Sequence, residues 1–174
     1  MRAPPRWFDR PWAFELPLSL FPNVVERLRG TAPRLAERVA SLPAPILTHR
    51  VDGAWSIQEN VGHLLDLEPL WLARLKELQA GAPRLMAADL QNQRTHEANH
   101  NARDIDQLLS GFGEARTALV AALEAADENL VARVAVHPRL GKPMRLLDHA
   151  YFVAEHDDHH LATISALRRR LAPG

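Results

Sequence analysis

Residues 144–164 read MRLLDHAYFVAEHDDHHLATI, and this stretch frames the rest of the chain. Leu146, Ala150, Val153, Ile164, Leu167 and Leu171 recur at helical spacing, which predicts a helix from Pro143 to about Leu171 with one apolar stripe. Pro143 suits its first turn. His156 and His160 fall inside the stripe, where leucine would be expected. Four residues advance an α-helix by roughly 6 Å and rotate it by about 40°, so both imidazoles leave one face. One helix offers two nitrogens to a single metal ion in this way. A lone histidine on such a stripe is more often a hydrogen-bonded core residue; a pair at this spacing favours ligation. His159 sits to the side of the pair and reads as flanking or exposed.

A third ligand has to come from another helix. Ser56 followed by Glu59 is a capping box. From there Ile57, Val61, Leu64, Leu65, Leu72 and Leu75 continue at helical spacing to a stop at Gly81. Pro69 inside this helix should bend it. Asn60, His63, Leu67 and Leu70 form a line beside the apolar face, which makes His63 the best-placed partner for the pair. His96 and His100 are also four apart, but no apolar stripe surrounds them. Their segment reads as solvated polar chain, as the mouth of a pocket, or as a competing ligand source.

Two more helices complete the pattern. One runs from about Asn23 to Leu42, with a kink or restart at Gly30, Thr31 and Pro33 and Thr31 as a cap. The other starts at Asp104 with Gln107 and runs to about Ala126. Residues 87–102 form a short helix or an irregular crossing, and no run shows sustained strand alternation. The predicted fold is all-α: an antiparallel four-helix bundle over residues 23–171 behind an extended, aromatic and proline-rich arm at residues 1–22. Trp7, Trp12 and Phe14 of the arm should be buried against the bundle or a twofold-related copy.

Composition removes several function classes. Lys+Arg and Asp+Glu both number 21, which argues against a phosphate-tracking nucleic-acid binder. The absence of cysteine excludes disulfides, thiolate ligands and a protein thiol nucleophile, so any sulfur chemistry needs an external thiol. No apolar run approaches the roughly 20 residues of a membrane span, and the N-terminus lacks the apolar stretch of a signal peptide. A cytoplasmic protein without nucleic-acid or membrane partners is the expectation.

The stretches WSIQENVGHLLDLE (residues 55–68) and AEHDDHHLATI (residues 154–164), with Arg116 and the HPRLG loop at residues 137–141, resemble the DinB/YfiT-like proteins over about residues 23–168. The resemblance implies an up-down-down-up four-helix bundle, often a homodimer. It implies a divalent metal, nickel or zinc, on His63, His156 and His160. It implies a metal-dependent transferase acting with a low-molecular-weight thiol on an electrophilic substrate; the alternatives are a metal-dependent hydrolase and a non-enzymatic metal-bearing binding or stress-response protein. A purely structural helical module would leave the histidine pair unexplained. Pro69 and the His96/His100 pair depart from the family pattern. Asn60, Asp66, His96, His100, Asp157 and His159 are candidates for the pocket or for orienting the ligands. Activity should fall below about pH 6, near the ordinary histidine pKa.

Overall fold

The computed structural model describes residues 6–172. The first long helix of the bundle is two helices, α1 (Phe21–Arg29) and α2 (Thr31–Val39), broken at Gly30, and a short α3 (Ala44–Leu47) follows. Thr31 does not cap; its hydroxyl donates to the Asp157 carboxylate at 2.8 Å. α4 (Ile57–Gln79) begins with the predicted capping box and runs on through Pro69. It ends in a Schellman motif. Gly81, at φ +74°, lets its own amide reach Leu78 O at 3.1 Å and that of Ala82 reach Glu77 O at 2.9 Å.

The crossing to the next long helix holds α5 (Gln93–Glu97) and a 3-10 turn at His100–Ala102. α6 (Ile105–Glu124) is capped by Asp104, whose carboxylate accepts the Asp106 and Gln107 amides. After α7 (Glu128–Ala132) comes a feature absent from the sequence reading. β1 (Val134–Val136) and β2 (Pro143–Arg145) pair antiparallel, and Pro83 and Leu85 bond to the other edge of β1. Each strand is three residues long, too short to show alternation. Pro143 therefore lies in a strand, and α8 (Leu146–Leu171) starts three residues later, with Asp148 accepting the Arg145 amide at 2.9 Å.

The long helices run up-down-down-up. α4 and α8 are antiparallel, since Asn60 meets His160 and Trp71 meets His149. α1–α2 and α8 ascend together, from Arg27 on Glu155 to Arg38 on Ser165. α4 and α6 also run the same way, with Leu65 beside Gly111 and Glu68 on Arg116. Two consecutive parallel helices oblige the chain to travel back along their length, and that return is the polar segment between Ala80 and Asp104. It lies against α4 and brings Thr95 and His100 to it.

The core is divided. One apolar cluster gathers Val24, Val25, Leu28, Trp71, Leu75, Leu119, Leu123, Phe152 and Val153, and the other Leu35, Val39, Ile57, Val61, Leu108, Phe112, Leu161 and Ile164. Between them every long helix supplies a buried polar residue: Thr31, Glu68, Arg116 and Asp157. Arg116 donates to Glu68, to Asp157 and to Leu28 O. The candidate site lies at the level of this belt.

From Arg6 on, the arm docks on its own bundle; residues 1–5 of it lie outside the described residues. Trp12 is 6% exposed, with its ring 4.6 Å from that of Phe152. Phe14 is half-buried beside it, and Lys142 donates to Trp12 O at 2.5 Å. Trp7, also half-buried, reaches further, to 5.0 Å from the His156 ring.

A candidate metal centre

Antiparallel packing of α4 on α8 sets His63 opposite His156 and His160. One ring nitrogen of each lies within 4.8 Å of the others, and all three residues are buried. Two of the rings are fixed by hydrogen bonds. Asn60 donates through Nδ2 to Ser56 O at 2.7 Å, which turns its Oδ1 to accept from His160 Nδ1 at 2.8 Å. His63 Nδ1 donates to Thr95 Oγ1 at 3.0 Å, and that hydroxyl donates to Asp66 Oδ2 at 2.8 Å. A proton on Nδ1 leaves Nε2 as a bare lone pair on both rings. His156 is held differently: its buried Nδ1 meets no acceptor, and its ring is gripped edge-on by Trp7 and Trp71.

Burial controls the protonation of the three rings. It pushes His63 down to about 4, the charge on Asp66 opposing the shift, and His156 and His160 well below 6.5 with the neighbouring imidazoles adding to the effect. Three neutral imidazoles converging through single nitrogens are a donor set suited to zinc or nickel. The residues fit such an ion.

The other candidates separate. Asn60 and Asp66 support His160 and His63, as described. His100 is buried and bonds Asp66 through Nε2 at 2.8 Å. It is seated against Gly62, where a Cβ would come within 2.2 Å of its ring. Gly62→Ala should therefore cost about 1–3 kcal/mol by forcing His100 off Asp66, read by urea unfolding. His96 is exposed, with its ring 5.6 Å from that of Trp55. Asp157 does not orient an imidazole; one residue on from His156 it points the other way, into Arg116 and Thr31. His159 flanks the triad, half-buried, with its ring 5.2 Å from that of His160.

Sequence reasoning passed over Thr95, although it lies in the polar segment that drew attention for His96 and His100. Only the path of that crossing shows that the threonine, and not His96, meets α4. Trp55, whose ring lies 4.7 Å from His63, was likewise quoted only as part of a motif. Its place just before the Ser56 cap was the available signal.

The triad opens on a cavity of about 670 Å³. Trp7, Trp55, Trp71 and Phe152 supply aromatic wall, and Arg74, His137 and Arg139 line it as well. Its one lining carboxylate among the described residues, Asp89, is engaged by the backbone amides of Gln91 and Gln93. Among the described residues no helix is long and apolar enough to cross a membrane.

A family profile described as the DinB superfamily matches residues 27–164. No curated protein matches the sequence. Among solved structures, YfiT from Bacillus subtilis, described as a probable metal-dependent hydrolase with an unusual four-helix bundle topology, superposes with a TM-score of 0.82 at 20% identity, covering 92% of this chain and 93% of that one. A mycothiol-dependent maleylpyruvate isomerase superposes at 0.66 and 11% identity, over 84% of this chain and 60% of that one. At these identities the likeness is one of fold.

Proposed function

This chain belongs to the DinB superfamily, and from that footing we propose that it holds a divalent transition metal, zinc or nickel, on His63, His156 and His160 and is a metal-dependent enzyme acting with a low-molecular-weight thiol. The observation that carries the reading is the convergence of three buried imidazole nitrogens within 4.8 Å at an open cavity. When bound, such an ion supplies positive charge that favours the deprotonated form of a thiol or a water.

The lining favours the thiol. Activating water calls for a general base, and among the described residues the only lining carboxylate, Asp89, already accepts backbone amides. A thiol is far more acidic and needs no dedicated base. The chain has no cysteine of its own, so the sulfur enters with a co-substrate. Trp7, Trp55 and Trp71 exclude water around the rings, while Thr95 and Asn60 hold the Nδ1 protons and so keep each Nε2 aimed inward. A second reading, hydrolysis, rests on His159: a half-buried imidazole beside His160, with its pKa lowered by burial and by Arg10, would serve as the base. The isomerase among the similar folds is described as mycothiol-dependent and YfiT as a probable metal-dependent hydrolase, which is why both readings are tested.

The test loads the protein with zinc or nickel and adds bacillithiol, mycothiol, glutathione or coenzyme A with an electrophile. Thiol-dependent product formed by the wild type and lost in His156→Ala is the expected outcome. Thiol-independent ester or amide cleavage would instead establish the hydrolase, and metal uptake with neither activity a binding protein. Asn60→Ala frees the His160 ring to rotate and should weaken metal binding by about 10–100-fold, read by competition with a chromophoric chelator.

A further inference from the structure

The cavity has a second polar wall, remote from the three imidazoles in sequence and opposite to them in charge preference. Arg74 is 1% exposed, and its Nε and Nη2 fork onto Met86 O at 3.0 and 2.8 Å. That carbonyl is a neutral acceptor and brings no negative charge to the guanidinium. Among the described residues neither Arg74 nor Arg139 forms an ion pair. Glu77, whose charge acts on Arg74 without an ion pair, accepts the Met86 amide. Burial and the neighbouring Arg139 push Arg74 down to about 10.

His137 sharpens the picture. The Leu140 amide lies 3.2 Å from its Nδ1, in place to donate to it. Burial, with Arg74 and Arg139 adding, lowers His137 to about 4 and keeps it neutral. Its Nε2 lies 3.3 Å from Arg74 Nη1. A neutral imidazole accepts through one ring nitrogen only, so Arg74 Nη1 and the Leu140 amide compete for His137 and one of these N–H groups is left without an acceptor. Arg139, whose guanidinium carbon lies 5.2 Å from the Phe8 ring centroid, adds a buried Nη2 that meets no acceptor among the described residues. An unmet buried donor on a cation that has no carboxylate partner, as on Arg139, is costly unless an anion meets it.

We propose that Arg74, His137 and Arg139 form an anion subsite, and that the molecule entering this cavity carries a carboxylate that docks there while its other end reaches the three imidazoles. A carboxylate fits because its planar pair of oxygens matches a guanidinium edge and adjacent N–H donors. The two ends share one floor. Trp71 lies between them, its ring centroid 5.6 Å from the Arg74 guanidinium carbon and 5.7 Å from the His156 ring, and the Phe152 ring is 5.1 Å from His137. A compact molecule with an apolar middle can therefore span from anion wall to histidines within one volume. This inference rests on the cavity reading above and deepens it: it names the co-substrate or substrate as a carboxylic acid.

Binding to the metal-stripped protein separates the two readings, because a carboxylate would otherwise simply ligate the metal. Titration calorimetry compares 3-phenylpropionate with its uncharged amide on chelator-treated wild type, Arg139→Gln and His160→Ala, each checked for native helix content by circular dichroism. Preference for the acid over the amide should be about tenfold or more, lost in Arg139→Gln and kept in His160→Ala. Arg74→Gln should behave as Arg139→Gln does if it folds; Arg139→Gln alone decides, since that side chain is only half-buried. Equal binding of acid and amide, or an acid preference that survives Arg139→Gln, would overturn the subsite. A protein that fails to take up zinc or nickel while keeping the acid preference would overturn only the metal reading.

Discussion

Arg116→Met is expected to destabilise the fold by about 3–5 kcal/mol, the usual result of removing one partner from a buried ion pair. The guanidinium is the only cation between two buried carboxylates, Glu68 and Asp157, and it also holds Leu28 O. Its own charge is held firmly by those neighbours. With two carboxylates on one cation, Glu68 is already pushed up to about 7, burial outweighing the pull of Arg116 and Asp157 adding to the rise. The sign follows from that direction. A carboxyl whose folded pKa exceeds its ordinary 4.5 binds its proton more tightly when folded, so its contribution is complete below about 4.5 and disappears as pH rises through about 7. The variant strands both carboxylates, so its deficit should be largest near pH 8 and shrink towards pH 5. Urea unfolding of wild type and variant at the two pH values measures this. A deficit below about 1 kcal/mol at pH 8 would show that the belt tolerates an unpaired charge and that the ionic contact does not hold the helices together.

His156→Ala is expected to reduce metal affinity by more than the roughly 10–100-fold that loss of an outer partner costs, because it removes a donor atom itself. The ring stands between Trp7 and Trp71, and neither can replace it as a ligand. Metal content after dialysis, measured by mass spectrometry, should fall to background in the variant while circular dichroism stays helical. The pH dependence carries a further expectation. An ordinary histidine would surrender the metal near pH 6, but burial holds His63 down to about 4 and the other two well below 6.5. Protonation competes with the metal only below those values, so metal retention should persist at pH 5.5 and fail as pH approaches 4. Release centred near pH 6 would mean that the rings are solvated, contrary to their burial.

The two predictions concern adjacent residues with opposite duties. His156 faces the cavity; Asp157, the next residue on α8, faces Arg116, Glu68 and Thr31. A helix turns by about 100° per residue, so one polar stretch serves both the site and the belt that braces it. The belt ties α2, α4, α6 and α8 together at the height of the triad, where the core is not closed by apolar packing. Cavity and belt are thus one structural level of the bundle.

What the sequence determined by itself was whatever a single helix decides. His156 and His160 share a face because of the helical period. Ser56 with Glu59 starts α4, Asp104 starts α6 and Gly81 ends α4 through backbone groups a few residues away. Tertiary structure decided everything that depends on where distant segments meet. Of the two histidines in THEANHN, His100 is buried on Asp66 and His96 is exposed, while Thr95, just before His96, takes the place beside His63. Thr31, which looked like a cap, serves Asp157 across the bundle. The β1–β2 hairpin, too short to register as alternation, carries His137 and Arg139 in its loop and brings them to Arg74 of α4. Local hydrogen bonding and the helical period act over a few residues and leave a mark in the order of the letters. Contacts such as these arise from how distant segments pack, the return path between parallel α4 and α6 for Thr95 and His100 and the pairing of α2 with α8 for Thr31, and a long-range path leaves no periodic trace in the chain.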